Sequence, residues 1–221
     1  MKRIGVMIAV AAAISVLVAA DGYTAPKPSE AKIRWELDIK FDQPRPIRAQ
    51  LPGRKKKQIF WYMLYTVTNR TGKDQFFVPD FDLYTDTGQL VHSGKKTPTV
   101  VFNAIKSLHN NPLLKNTPGM AGRILQGEDN AKDSVAVWHD FDPKAGSFDI
   151  FVGGLSGEIA EIKLPRPIKV IKTDARGKKT VVWQETLLLA KTLQLTYKIP
   201  GEAASRTRTA VKLAKKTWVM R

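Results

Sequence analysis

Ile33-Arg34-Trp35-Glu36-Leu37-Asp38-Ile39-Lys40-Phe41 alternates apolar and charged side chains without a fault. Successive side chains of a strand point to opposite faces, so this period of two predicts a strand with one buried and one solvated face. It sets the expectation of a mainly β protein. Pro44, Pro46, Pro52 and Gly53 break the pattern, and the basic run Arg54 to Lys57 reads as a loop. Ile59 to Thr68 follows, aromatic and β-branched with apolar side chains on both faces, as suits the middle of a packed sandwich.

Further along, short strands are expected at Gln75 to Val78 and Phe81 to Thr85, punctuated by Pro79 and by Asp86-Thr87-Gly88. Val101, Ile105 and Leu108 fall at helical spacing behind Pro98, which predicts one short helix over 99–109. Ser134 to Phe141 and Ser147 to Val152 read as a hairpin closed by Asp142 to Gly146. The C-terminal quarter carries strand signals at Ile168 to Ile171, Thr180 to Trp183, Thr192 to Ile199 and Ala210 to Met220. Thr186 to Lys191, with three consecutive leucines, suits strand or helix. The expected fold is an antiparallel β-sandwich with one helix and a strand-rich C-terminal extension.

Tyr65-Thr66-Val67-Thr68-Asn69-Arg70-Thr71-Gly72-Lys73-Asp74, with Pro79 to Leu83 and Thr85 to Gly88, resembles the early strands of immunoglobulin-like sandwich families of unknown function in exported bacterial proteins. The resemblance implies an immunoglobulin-like architecture and an envelope setting. It carries over no functional residues, and the absence of cysteine leaves out the disulfide of antibody domains.

Lys2 and Arg3, the apolar run Ile4 to Ala20 and the small residues Val18, Ala19 and Ala20 before Asp21 have the three parts of a signal peptide. A retained anchor is the alternative, the run being near the shortest length that spans a bilayer. The expected organisation is a signal peptide at 1–20, a flexible leader at 21–32 around Pro26 and Pro28, a β-sandwich core at 33–165, and a basic β extension at 166–221 packed on the same domain. Without cysteine, neither a disulfide framework nor a cysteine-linked lipid anchor exists, and an ordinary hydrophobic core must hold the fold. The formal net charge is +16, and residues 166–221 hold 14 Lys and Arg against 3 Asp and Glu. A surface so polarised attracts anionic partners or is simply solvated.

The sequence contains no constellation that specifies a reaction. Gly154-Leu155-Ser156-Gly157 is one residue short of a nucleophile elbow and reads as a turn. Gly177-Lys178-Lys179-Thr180 lacks the upstream glycine of a phosphate loop, and nothing asks for a cofactor. His92, His109 and His139 lie too far apart for a zinc motif. The pairs Asp80/Asp82 and Asp140/Asp142 could bind calcium or form turns. Asn69-Arg70-Thr71 matches a glycosylation sequon, read as accidental. Among the tryptophans, Trp183 and Trp218 stand beside lysines and are candidates for an aromatic platform, whereas the others suit core packing.

The expectation is therefore a non-catalytic extracytoplasmic module, periplasmic, envelope-associated or secreted. It binds or scaffolds a protein or an anionic envelope polymer or membrane surface through Lys178, Lys179, Arg206, Arg208, Lys212, Lys215 and Lys216. Nucleic acid would fit the charge, but no motif supports it. The last strand is expected to place Lys212, Ala214 and Lys216 on one side and Val211 and Leu213 on the other. The alternative is an envelope hydrolase using Asp140, Asp142 and His139, which requires those side chains to share a pocket.

Overall fold

The computed structural model describes residues 26–94, 97–173, 177–202 and 205–221. The signal-like start and residues 21–25 of the leader lie outside them. The protein is mainly β with several antiparallel sheets. In the first sheet β3 (Gln58–Asn69) is the spine. Strands β1 (Asp38–Phe41) and β2 (Arg45–Ala49) follow one another along one edge of it, and β8 (Gly127–His139) pairs along the other. Two short strands, β4 (Gln75–Phe77) and β7 (Gly122–Ile124), pair by themselves.

The second large sheet is built on the long strand β11 (Lys179–Lys198). Its C-terminal half pairs with β12 (Lys212–Met220) and with β9 (Ser147–Gly153), which pairs onward to β5 (Asp80–Thr85) and β6 (Leu90–His92). Among the described residues the N-terminal half of β11 pairs only with β10 (Ile159–Thr173). The Ala190 N–H and C=O bond to Arg221, whereas the next N–H, of Lys191, goes to the Glu158 carbonyl. Backbone groups alternate sides along a strand, so β12 occupies one edge of β11 while β9 and β10 succeed each other along the opposite edge.

The inner faces of the two large sheets meet in one core. Trp61, Met63, Tyr65 and Val67 from β3 and Trp138 from β8 pack with Phe81, Leu83, Phe148, Ile150, Leu193, Leu195 and Tyr197. The rings interlock, with Trp61 5.1 Å from Phe141 and Phe148 5.4 Å from Tyr197. Each such side chain contributes about 1.5–3 kcal/mol on burial, enough to hold the fold without cross-links. The outer face of the first sheet is closed by α1 (Thr99–Leu108), whose Val101 and Ile105 pack on Phe60, Tyr62, Val135 and Val137. A second helix, α2 (Thr117–Met120), is capped by the Asn116 side chain, so the single helix expected from the sequence is two.

Three local expectations change. The alternating stretch 33–41 is not one strand: Leu37 N–H bonds to Leu155 O and Gly157 N–H to Trp35 O beside the second sheet, while Asp38–Phe41 pairs with β3 in the first. The chain thus crosses between sheets while keeping its alternation, with Leu37 buried and Ile33 left exposed. The residues read as a hairpin, β8 and β9, do not pair with each other. They lie in different sheets, and the link buries Phe141 and Ala145 as it crosses. Thr186 to Lys191 is strand throughout. In Gly154 to Gly157, Gly154 has φ +80° and faces Val78 O, and a Cβ on Gly157 would overlap the Trp35 ring nitrogen, so both glycines serve packing and backbone geometry.

Candidate functional site

Residues 179–190 of β11 continue the second sheet as a two-stranded arm with β10, and no third strand pairs with it among the described residues. Both faces of its outer part carry exposed apolar side chains. Cross-strand partners share a face, so Trp183 stands beside Lys169 and Ile171 beside Val181, with Val170 and Val182 on the reverse. Trp183 is 66% exposed, Ile171 62% and Leu188 66%, values of surface rather than core residues. Arg166, Lys169, Lys178 and Lys179 are exposed along the arm and at its tip. The register shifts between Lys163 and Ile168, where Pro165 and Pro167 cannot donate to a ladder.

Buried charges fasten the root of the arm. Lys191, with a side chain 3% exposed, lies 3.3 Å from Glu36 Oε2 and 3.2 Å from Glu158 Oε2. It also donates to Ser29 O at 3.0 Å and sits 5.3 Å from the centre of the Trp218 ring. The Ser29 N–H donates to Glu158 Oε1 at 2.8 Å, so the described part of the leader is tied to the domain here. That backbone N–H, with the Ser29 hydroxyl and Lys191, holds the Glu158 carboxyl below its ordinary range. On the outer face Asp82, buried, receives His92 Nδ1 at 2.5 Å and Arg221 Nη2 at 2.7 Å, and the Arg221 guanidinium lies 4.5 Å from the centre of the Phe151 ring. Burial and the neighbouring Asp82 raise the pKa of Asp80.

The basic residues singled out from the sequence are divided by the structure. Lys178 and Lys179 are at the arm's tip, and Lys212 and Lys215 are exposed on β12. The register of β12 against β11 shifts at Ala214, so Lys215 faces Thr196 and Lys212 faces Lys198, while Lys216 faces the buried Leu195. This bulge corrects the simple alternation: Lys212 and Lys215 share the outward face with Lys198, and Lys216 turns inward to lie 5.4 Å from the Phe41 ring. Arg206 does not join them. It is buried, 2.6 Å from Asp140 Oδ1 and 5.1 Å from the Phe141 ring, with its charge used within the fold. Arg208 is exposed on the wall of a cleft of about 320 Å³ that it shares with Arg45. Trp218 is half-buried under Lys191, so of the two platform tryptophans only Trp183 offers an open ring. Lys198 was missed because its position on a polar strand face says nothing about a second lysine opposite. Directly opposed like charges cost energy, so this pair concentrates positive potential that an anion would relieve.

The acid and base candidates separate. His139 packs against Phe60, 5.1 Å between ring centres, on the helix-covered face. Asp140 points the other way, accepting from Trp61 Nε1 at 3.0 Å and from Arg206. Asp142 accepts the Lys144 N–H at 2.9 Å, a turn contact that lowers its pKa together with the Thr87 hydroxyl. His109 bonds to the Tyr62 hydroxyl at 3.0 Å. Among the described residues no three potential ligands gather as a metal site. The sequon Asn69 is wholly buried, with its amide bonded to Lys73 O, Ile124 O and Thr71. The chain matches no family model, no curated protein and no solved structure.

Proposed function

We propose that this chain is an exported, non-catalytic module with an immunoglobulin-like β-sandwich body, which docks on an anionic polymer or surface through its arm and the outward face of β12. Export rests on the N-terminal Lys2, Arg3 and the apolar run to Ala20. The observation that carries the binding reading is the arm: it is clear of the core and places exposed Trp183 beside Lys169, with Lys178 and Lys179 at the tip. An indole with an adjacent ammonium suits a ligand that is anionic and has apolar or stackable parts. Lys198, Lys212 and Lys215 add a second basic face on the same sheet.

Retention of the purified chain on heparin and on vesicles containing anionic lipid should fall steeply with salt, because each neutralised charge releases counterions. Reversing Lys212 and Lys215 to Glu should weaken retention and leave Tm nearly unchanged, since both are exposed on the outward face. No retention of the unmodified chain at low salt would sink the proposal.

A further inference from the structure

The two edges of the arm differ. On β10 the edge is broken by Pro165 and Pro167, a device that keeps strands from adding there. On β11, residues 179–189 run without proline or glycine, and β12 covers the same edge only from Ala190 onward. Because Ala190 directs its N–H and C=O to that edge, so do the even-numbered residues Thr180, Val182, Gln184, Thr186 and Leu188. The Gln184 side chain donates to the Thr186 carbonyl at 2.7 Å, serving an outward acceptor that none of the described strands reaches. A long, apolar, unprotected edge of this kind is a template for another strand.

We infer that the partner strand is β11 of a second copy, paired antiparallel across a twofold axis near Gln184. The arms then form one continuous four-stranded sheet. A twofold normal to the sheet preserves its faces, so odd residues meet odd and even meet even. That parity brings outward N–H and C=O groups opposite each other, as an antiparallel ladder requires. With the axis at Gln184, Val181 meets Leu187, Trp183 meets Glu185 and Val182 meets Thr186. No like charges are opposed, and Trp183 lies between Lys169 of its own arm and Glu185 of the other. The tips point in opposite directions, which separates the basic ends. The full ladder supplies about ten hydrogen bonds, the number a stable interface carries. Charge complementarity within the pair and this self-matching pattern favour a second copy over a foreign strand.

Sedimentation velocity of the purified chain across concentration should show a monomer–dimer equilibrium. Val182→Pro removes an outward N–H unused within the arm, and the twofold counts the loss twice, so dimerisation should weaken about thirtyfold. Because the chain has no cysteine, Gln184→Cys should give a disulfide-linked dimer on mild oxidation, whereas Ile168→Cys on β10 should not. Should Val182→Pro disturb the arm, Gln184→Lys, which sets two ammonium groups across the axis, is the second variant and should also favour monomer. A chain that stays monomeric at every concentration, a dimer indifferent to both edge variants, or linkage at 168 in place of 184 would overturn the inference. A monomer that instead captures an extended peptide along β11 would overturn it too. Heparin retention is read separately, so loss of dimerisation and loss of anion binding are distinguishable.

Discussion

Lys191→Met removes the buried cation that bridges Glu36 and Glu158 and leaves Glu36 only the exposed Lys32 at 4.0 Å among the described residues, and its cost follows from the burial of the bridging group. The Lys191 side chain is 3% exposed, Glu158 8% and Glu36 12%, with ammonium–carboxylate distances of 3.2 and 3.3 Å. At an effective dielectric near 20 each contact is about 5 kcal/mol in gross attraction, most of it offset by desolvation. Removing one partner of such a group leaves carboxylates buried without compensation, which typically costs about 3–5 kcal/mol. The glutamates keep some contact with water, so we expect about 3 kcal/mol, or roughly 6–12 °C in Tm for a chain of this size. Urea denaturation followed by tryptophan fluorescence measures it, since Lys191 lies over Trp218. Adding Glu36→Gln and Glu158→Gln to Lys191→Met should recover most of the loss. The acid side has a definite sign. Glu158 titrates below its ordinary 4.5 in the fold, so its stabilisation is present above about pH 4.5 and is lost as pH falls through the lower folded value. Glu158→Gln should flatten that acid limb. A cost for Lys191→Met below about 1 kcal/mol, as for an exposed pair, or no recovery in the triple variant, would refute the reasoning.

Two further substitutions probe the core. Tyr197 is fully buried and its hydroxyl meets no partner among the described residues; burial also pushes its pKa up. Tyr197→Phe should therefore leave stability unchanged or raise it by up to about 1 kcal/mol, and a clear loss in chemical denaturation would show that the hydroxyl has a partner in solution. Asn69→Ala strips the amide that serves Lys73 O, Ile124 O and the Thr71 N–H and hydroxyl. It should cost about 3 kcal/mol, and a loss under about 1 kcal/mol in the same assay would contradict that role.

What sequence could reveal here was which residues share a face. The alternation of Trp35, Leu37, Ile39 and Phe41 marked a buried side correctly, and Val101 with Ile105 marked a real helix. It could not reveal that the chain changes sheets near Leu37, because a strand that crosses from one ladder to another keeps its period of two. Nor could it separate a seven-residue turn within a sheet from one that crosses the core between β8 and β9: both want Pro143 and Gly146. The bulge at Ala214 left no signature in composition, yet it decides which face Lys216 takes. Arg206 looked like its exposed neighbours because only tertiary structure brings Asp140 to it.

The arm was hidden for a related reason. Ile168 to Ile171 and Thr180 to Trp183 carry strand signals that the sequence assigns to an extension packed on the same domain, since apolar residues in a β pattern are usually covered by a second layer. Here the covering layer ends where Lys191 and Arg221 fasten the root, and the strands continue beyond it. Stability alone gives no reason for a solvated two-stranded ribbon with apolar faces, because an isolated hairpin is marginal in water. The buried ion cluster at its base, costly to desolvate, makes sense as an anchor that holds the arm's direction while the rest remains available. Binding on the faces and pairing along the β11 edge use different groups, side chains in one case and backbone in the other. One arm can therefore serve both, and a dimer would keep Trp183 and Lys169 of both copies on the same face of the joined sheet.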